Sequence, residues 1–322
     1  MTQPKLSINI GKMKLKNPVM VASGTFGYAQ EFKDFIDLNK LGAIVTKTIT
    51  LNARQGNPAP RTCETPAGLL NSIGLENPGI DKFIQEKLPF LKKIGVPIIV
   101  SIASEGDPEE FIRLTQRLEK IKEVAAIELN ISCPNIESLV TCHLSPVLSG
   151  DRRPLISQDS KSTYEVVKRV RKVTKKTIIT KLSPNVTDIT EIAQAAQDAG
   201  SDAISLINTL TGMSIDIKTA KPKIATVTGG LSGPAIRPVA VRMVWEVYQR
   251  IKIPIIGMGG IIDTFSALEF ILAGATAVSV GTANFINPRT TVEIISGIKK
   301  YLQNNKTSSI QKLIGALGIC QH

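Results

Sequence analysis

Aromatic residues are scarce in this 322-residue chain: they make up 4%, with a single Trp. Proteins that hold single-stranded nucleic acid interleave basic charge with rings on which bases stack. The 39 Lys and Arg against 27 Asp and Glu, a formal +12, therefore do not indicate nucleic-acid binding. The densest run, KRVRKVTKK (168–176), falls inside a helical pattern and reads as a solvated face. The charge is mild help toward anionic small molecules or an acidic protein partner. Cysteine is also sparse. Cys63, Cys133, Cys142 and Cys320 include no close pair of the kind that zinc or iron–sulfur sites use, so reduced thiols and no metal are expected. The only histidines are His143 and His322, so a Cys–His pair would need His143. No apolar run nears the roughly 18 residues that suggest a membrane span. The N-terminal MTQPKLSINIGKMKLKNP lacks a signal-peptide hydrophobic region, and we expect a mature cytoplasmic protein beginning here, with no membrane association.

What the chain does contain is a repeated pattern. Eight short runs rich in β-branched residues recur: PVMVAS (18–23), GAIVTKT (42–48), PIIVSIA (97–103), AIELNIS (126–132), TIITKLS (177–183), AISLINT (203–209), IPIIGMG (253–259) and AVSVGTA (277–283). Continuous rather than alternating apolar runs suit strands covered on both faces, as in a parallel sheet. Amphipathic stretches with acidic starts and glycine stops, such as DITEIAQAAQDAG (188–200) and DTFSALEFILAG (263–274), lie between them. Strand and helix alternate, which predicts right-handed βαβ units, and eight of them in one chain without a dividing linker predict an α/β fold, a (β/α)8 TIM barrel as one domain over 1–322. The segments 49–79, 136–160 and 210–234 are too long for ordinary βα loops, and the last can form a hairpin. All follow the C-terminal end of a strand, where barrel active sites are built.

The predicted strand ends are polar or glycine: Ser23; Lys47 and Thr48; Ser101; Asn130 with Cys133; Lys181; Asn208 and Thr209; Gly259 and Gly260; Gly281 and Thr282. A terminating turn explains any one of these, but barrel geometry brings all eight ends around one pocket. GMGG (257–260), GT (281–282) and GGLSGPAI (229–236), with its Gly233, expose backbone N–H groups near helix starts and predict a phosphate-bearing ligand. Lys47 and Lys181 have no acidic residue within three positions, and a rim lysine loses solvation unless an anion compensates it. Asn71, Asn130 and Asn208 each offer a donor and an acceptor, as a planar ligand edge requires. A free cysteine is commonly a small buried hydrophobe. Cys133, just past a strand end and followed by Pro134, is better placed for proton transfer or nucleophilic attack.

With these motifs placed, the chain resembles the class 1B dihydroorotate dehydrogenases, FMN-containing catalytic subunits of pyrimidine biosynthesis. The resemblance rests on NPVMVASGTFGY, TKTIT, NSIGLENPG, LNISCPN, KLSPNVTDI, INT, GGLSGPAIRPVA, GMGGI and AVSVGTA, in family order along nearly the whole chain. KLSPNVTDI and GGLSGPAIRP look like class 1B more than the fumarate-using class 1A, and the N-terminal extension of the quinone-using class 2 is not found. The resemblance implies oxidation of dihydroorotate to orotate, with Cys133 as the base at C5 and hydride leaving C6 for the flavin. It implies substrate contacts by Lys47, Asn71, the 72–75 turn (Ser72, Ile73, Gly74, Leu75), Asn130, Asn208 and Thr209. Flavin contacts are implied for Ser23, Lys47, Thr48, Asn130, Lys181, Ile207, Gly233, Gly259, Gly260, Gly281 and Thr282, with Lys181 stabilising the charge of reduced flavin. Ser101 stands where the family usually has a flavin-contacting asparagine, and it is expected to keep the cofactor contact through its shorter hydroxyl, with less reach. The 136–160 segment, with Cys142 and His143, is longer than the family's lid loop. Family behaviour further implies a homodimeric core and a separate FAD and iron–sulfur subunit that passes electrons to NAD. The competing readings are a flavin barrel acting on another pyrimidine, as in dihydropyrimidine dehydrogenase, and a phosphate-ligand-binding barrel without catalysis.

Overall fold

The computed structural model describes residues 3–131 and 156–318. Cys133, Cys142 and His143 lie outside the described residues, as does most of 136–160. Eight parallel strands close a barrel: β1 (Val19–Val21), β2 (Ala43–Val45), β3 (Ile98–Ile102), β4 (Val124–Asn130), β5 (Thr177–Lys181), β6 (Ala203–Leu206), β7 (Ile255–Gly257) and β8 (Ala277–Val280). Neighbours in sequence are neighbours in the ring, and Val280 opposite Val21 shuts it. The architecture is the expected (β/α)8 barrel. Every residue of β1, β2, β3 and β5 is buried, so these strands have no solvent face with which a polar residue could alternate.

Helices Glu109–Glu119, Ser160–Val173, Ile189–Asp198, Arg237–Arg250, Thr264–Leu272 and Thr290–Asn304 surround the ring. Their starts are locally encoded. Asp159, Asp188 and Asp263 accept hydrogen bonds from the backbone N–H groups of Ser162 (2.7 Å), Thr190 (2.8 Å) and Ser266 (2.8 Å), satisfying donors that a helix cannot pair internally. Helix Ser160–Val173 buries Val166, Val167 and Val170 and turns Lys168, Arg169 and Lys172 outward, so most of the KRVRKVTKK run is a solvated face, while Arg171 pairs with Asp202 and Lys176 donates to the carbonyls of Ile121 and Val124. No described helix is long and apolar enough to cross a membrane.

The alternation breaks between β1 and β2, where two 3-10 turns, Gln30–Phe32 and Leu38–Lys40, replace a helix. Ala29 is left-handed at φ 70°, which interrupts helical geometry, and Phe26 stacks on Phe32 with centroids 4.0 Å apart. At the opposite end of the barrel an N-terminal hairpin, Ile8–Ile10 against Met13–Leu15, buries alternate residues. Lys12 N–H donates to Oγ1 of Thr177, the first residue of β5, at 3.1 Å, so the hairpin sits at the N-terminal end of the barrel and leaves the C-terminal end for the site.

Two of the long excursions do more than loop out. Segments Leu210–Met213 and Thr228–Ser232 pair antiparallel, as a hairpin in 210–234 requires. The second of these also pairs with Gly68–Asn71, which pairs in turn with Thr62–Thr65. The result is a four-stranded antiparallel sheet, woven from both excursions, beside the C-terminal rim.

Candidate active site

Seventeen of the anticipated residues line one cleft of about 270 Å³ at the C-terminal end of the barrel: Ser23, Lys47, Thr48, Asn71, Ile73, Gly74, Leu75, Asn130, Lys181, Ile207, Asn208, Thr209, Gly233, Gly259, Gly260, Gly281 and Thr282. Ser72 and Ser101 are fully buried and stand behind its wall.

The 72–75 turn is held by its carbonyls. Ser72 O accepts from Asn57 Nδ2 (3.1 Å), Ile73 O from Asn57 N–H (3.1 Å), Gly74 O from Arg54 Nε (3.3 Å) and Leu75 O from Asn77 Nδ2 (2.7 Å). Gly74 (φ +72°) and Leu75 (φ +55°) are both left-handed, a conformation that aligns successive N–H groups into an anion-binding nest. The N–H groups of Ile73, Gly74 and Leu75 have no partner among the described residues, while all three residues line the cleft. A substituent at Gly74 would meet Asn57 Oδ1 at 2.5 Å, so only glycine lets Asn57 approach. Arg54 is itself fixed by Glu105 at 3.1 Å.

A second set of donors comes from the glycine turns. The N–H groups of Gly233, Gly259, Gly260, Gly281 and Thr282 likewise find no partner among the described residues. Gly260 sits at φ +76°, and a Cβ there would lie 2.7 Å from Gly233 O and 2.8 Å from Arg237 Cβ. The two turns therefore touch through backbone alone. Thr282 Oγ1 donates to Ser232 Oγ at 2.8 Å, tying the end of β8 to the four-stranded sheet. This array fits a phosphate group.

Between these features runs a chain of amides and hydroxyls. Asn208 Nδ2 donates to Asn130 Oδ1 (3.5 Å), Asn130 Nδ2 to Thr48 Oγ1 (3.3 Å), and the Thr48 and Ser101 hydroxyls hydrogen-bond to each other (2.9 Å). Ser101 is thus connected to the cleft through Thr48 rather than directly. Asn71 Nδ2 donates to Gly230 O at 3.0 Å, and Thr209 N–H donates to Asn208 Oδ1 at 2.8 Å. Lys181, 6% exposed, reaches from β5 to Ser23 past the end of β1 on the opposite wall, Nζ to Oγ 3.3 Å. Ser279 Oγ is buried, lines the cleft and lacks a protein partner, as expected of an atom that awaits a ligand. One buried carboxyl lies below: Glu128 Oε2 accepts from Ser205 Oγ at 3.2 Å, and Oε1 has no partner.

Several wall residues escaped the sequence reading. Ser279 and Ser232 are two; the first sits two positions before Gly281 on the same strand face, and the second inside GGLSGP, so both were within reach of the period-two rule. Leu69, Ile262 and Phe285 also line the cleft, and nothing in their local sequence marks them.

A closed parallel barrel whose C-terminal rim gathers two sets of backbone N–H groups, amides, a buried Lys181 and a half-buried Lys47 in one cleft has the build of a barrel enzyme with a site suited to anionic ligands. The chain matches the family Dihydroorotate dehydrogenase over residues 5–302 and belongs to it. It is 52% identical over 317 residues to the protein of Geotalea uraniireducens named "Dihydroorotate dehydrogenase B (NAD(+)), catalytic subunit", covering 98% of this chain and 99% of that one. The proteins of the same name from Geotalea daltonii (52% over 319 residues) and Geobacter sulfurreducens (50% over 319 residues) each align over 99% of this chain and 100% of their own. The family is flavin-dependent.

Proposed function

We propose that this chain, as one FMN-binding barrel domain, oxidises (S)-dihydroorotate to orotate in de novo pyrimidine synthesis, and that its electrons pass to NAD through a partner subunit. The observation that carries the reading is the pairing, in one cleft, of two separate sets of backbone N–H groups with no partner among the described residues, one suited to a phosphate and one to a carboxylate. The glycine turns at 233, 259–260 and 281–282 would hold the FMN phosphate, and Ser279 Oγ, Thr48 and Lys181 would meet its ring. Bound there, the flavin supplies the two-electron acceptor for the C6 hydrogen of the substrate. The N–H groups of Ile73, Gly74 and Leu75 would take the substrate carboxylate, while Asn71, Asn130, Asn208 and Thr209 orient the pyrimidine edge. Because the Asn130 amide donates to Thr48, its oxygen is turned toward Asn208, which fixes the donor and acceptor order along that edge. Lys47 brings a positive charge into the cleft beside these amides. Cys133, three positions beyond the end of β4, is assigned as the base that takes the C5 proton on its match to LNISCPN. A homodimeric core with an FAD and iron–sulfur subunit completes the proposed assembly.

The test is an anaerobic titration of the flavin-loaded chain with dihydroorotate, following the yellow absorbance. Stoichiometric bleaching is expected. A flavin that bleaches with dithionite but not with dihydroorotate would reject the substrate, and a Cys133→Ser variant that bleaches as fast as the parent would reject the base.

A further inference from the structure

Glu128 is 2% exposed inside the barrel, and only one of its two carboxyl oxygens is hydrogen-bonded among the described residues. Such a group is expensive to keep in a packed interior unless something there uses it. Its position suggests what. Asn130 and Lys181 are register partners on β4 and β5, and both face the cleft. Side chains two positions apart on a strand share a face, so Glu128 points inward below Asn130. Its hydrogen-bond donor, Ser205, is on β6 in register with Lys181. Since β5 lies between β4 and β6, the Glu128 side chain must cross the inner face of β5 to reach Ser205, passing under the root of Lys181. Lys181 then spans the barrel mouth to Ser23. No carboxylate of the described residues lies within ion-pair distance of Lys181, so a charge on Glu128 would reach it only through space, in a water-poor interior where charges are felt over longer distances than in solvent.

We propose that Glu128 is an electrostatic positioning residue: a buried counter-charge beneath Lys181 that restrains the lysine's pull on electrons in the bound flavin. This rests on the reading that flavin occupies the cleft. Lys181 favours the extra negative charge of the reduced cofactor, and a carboxylate beneath it opposes that charge, so the pair sets the reduction potential between two extremes.

The measurement is the midpoint potential of the flavin in the purified holoprotein, with melting temperature recorded alongside. Glu128→Gln keeps the shape and removes the charge; it is expected to shift the equilibrium toward reduced flavin by about tenfold, roughly 30 mV for a two-electron couple. Glu128→Asp keeps the charge and shortens the side chain, and is expected to stay near the parent potential while losing more thermal stability than Gln. A purely structural Glu128 would also make Asp the less stable variant, but would shift its potential further from the parent than that of Gln. Equal potentials for parent and Gln variant, or an Asp variant shifted as far as Gln, would overturn the proposal. If the Gln variant does not fold, Ser205→Ala removes only the donor to Oε2, and a smaller shift in the same direction is expected; no shift would overturn the proposal equally. Failure of the parent chain to hold flavin would instead strike at the function proposed above, not at this pair.

Discussion

The barrel wall and the four-stranded sheet beside its rim are made of the same kind of element and held in different ways. The wall is packed: β1, β2, β3 and β5 are buried at every position, and Phe270, Leu129 and Ile127 at its outer face are completely hidden. The sheet is half open. Thr62–Thr65 alternates exposed and partly buried residues, and Leu210–Met213 does the same. Around it the 72–75 turn hangs on four hydrogen bonds from Asn57, Arg54 and Asn77. Stability is concentrated in the wall and ligand geometry in the sheet and rim, so mutations should separate the two.

The largest effect should come from the wall. Phe270→Ala, in the helix that follows β7, should lower stability by about 3–5 kcal/mol in chemical denaturation and leave KM for dihydroorotate unchanged in the surviving folded fraction. Lys47→Ala tests the rim: a loss of roughly 10²–10³ in kcat with an unaltered melting temperature is expected, and an equal loss of stability would blur the division. A finer probe is Asn57→Ala, which frees the Ser72 carbonyl; KM should rise by about tenfold while kcat holds, as steady-state kinetics will read. The smallest effect is at the Asp263 cap. Burial raises its carboxyl pKa, but hydrogen bonds from the Ser266 backbone and side chain outweigh this and leave it below the ordinary carboxylate value. A lowered folded pKa contributes stability above the unfolded value, and that contribution is lost as pH falls through the folded one. Asp263→Ala should therefore cost about 1 kcal/mol near neutral pH, and parent and variant melting curves should converge in acid.

The same division governs what the sequence discloses. All eight strands were legible because continuous apolar runs such as PIIVSIA carry their signal locally, and the caps at Asp188 and Asp263 were legible for the same reason. The rim residues followed from strand ends and from the family motifs. Of the sheet only the 210–234 hairpin was legible; its pairing with 62–71 was not. Asn71 and Gly230 pair across 159 positions, TCET carries no apolar period, and nothing local states that 62–71 belongs with 228–232. Ser101 shows the same limit at one residue. Its place at a strand end suggested a flavin contact but not its hydrogen bond to Thr48, a partner fixed only when β2 and β3 lie side by side.

The wide separation of those sheet partners also sets a timetable for a nascent chain. The anion nest needs only residues 54–77 and can take shape as soon as they emerge. At about 5–20 residues per second, Gly68–Asn71 then waits on the order of ten seconds for Thr228–Ser232 to leave the ribosome, with the edge that will receive it open throughout. The glycine turn at 281–282 and the final strand that shuts the ring come later still. The proposed carboxylate grip is thus translated early and the proposed phosphate grip late, so a cofactor held as proposed would be loaded only after most of the chain has emerged.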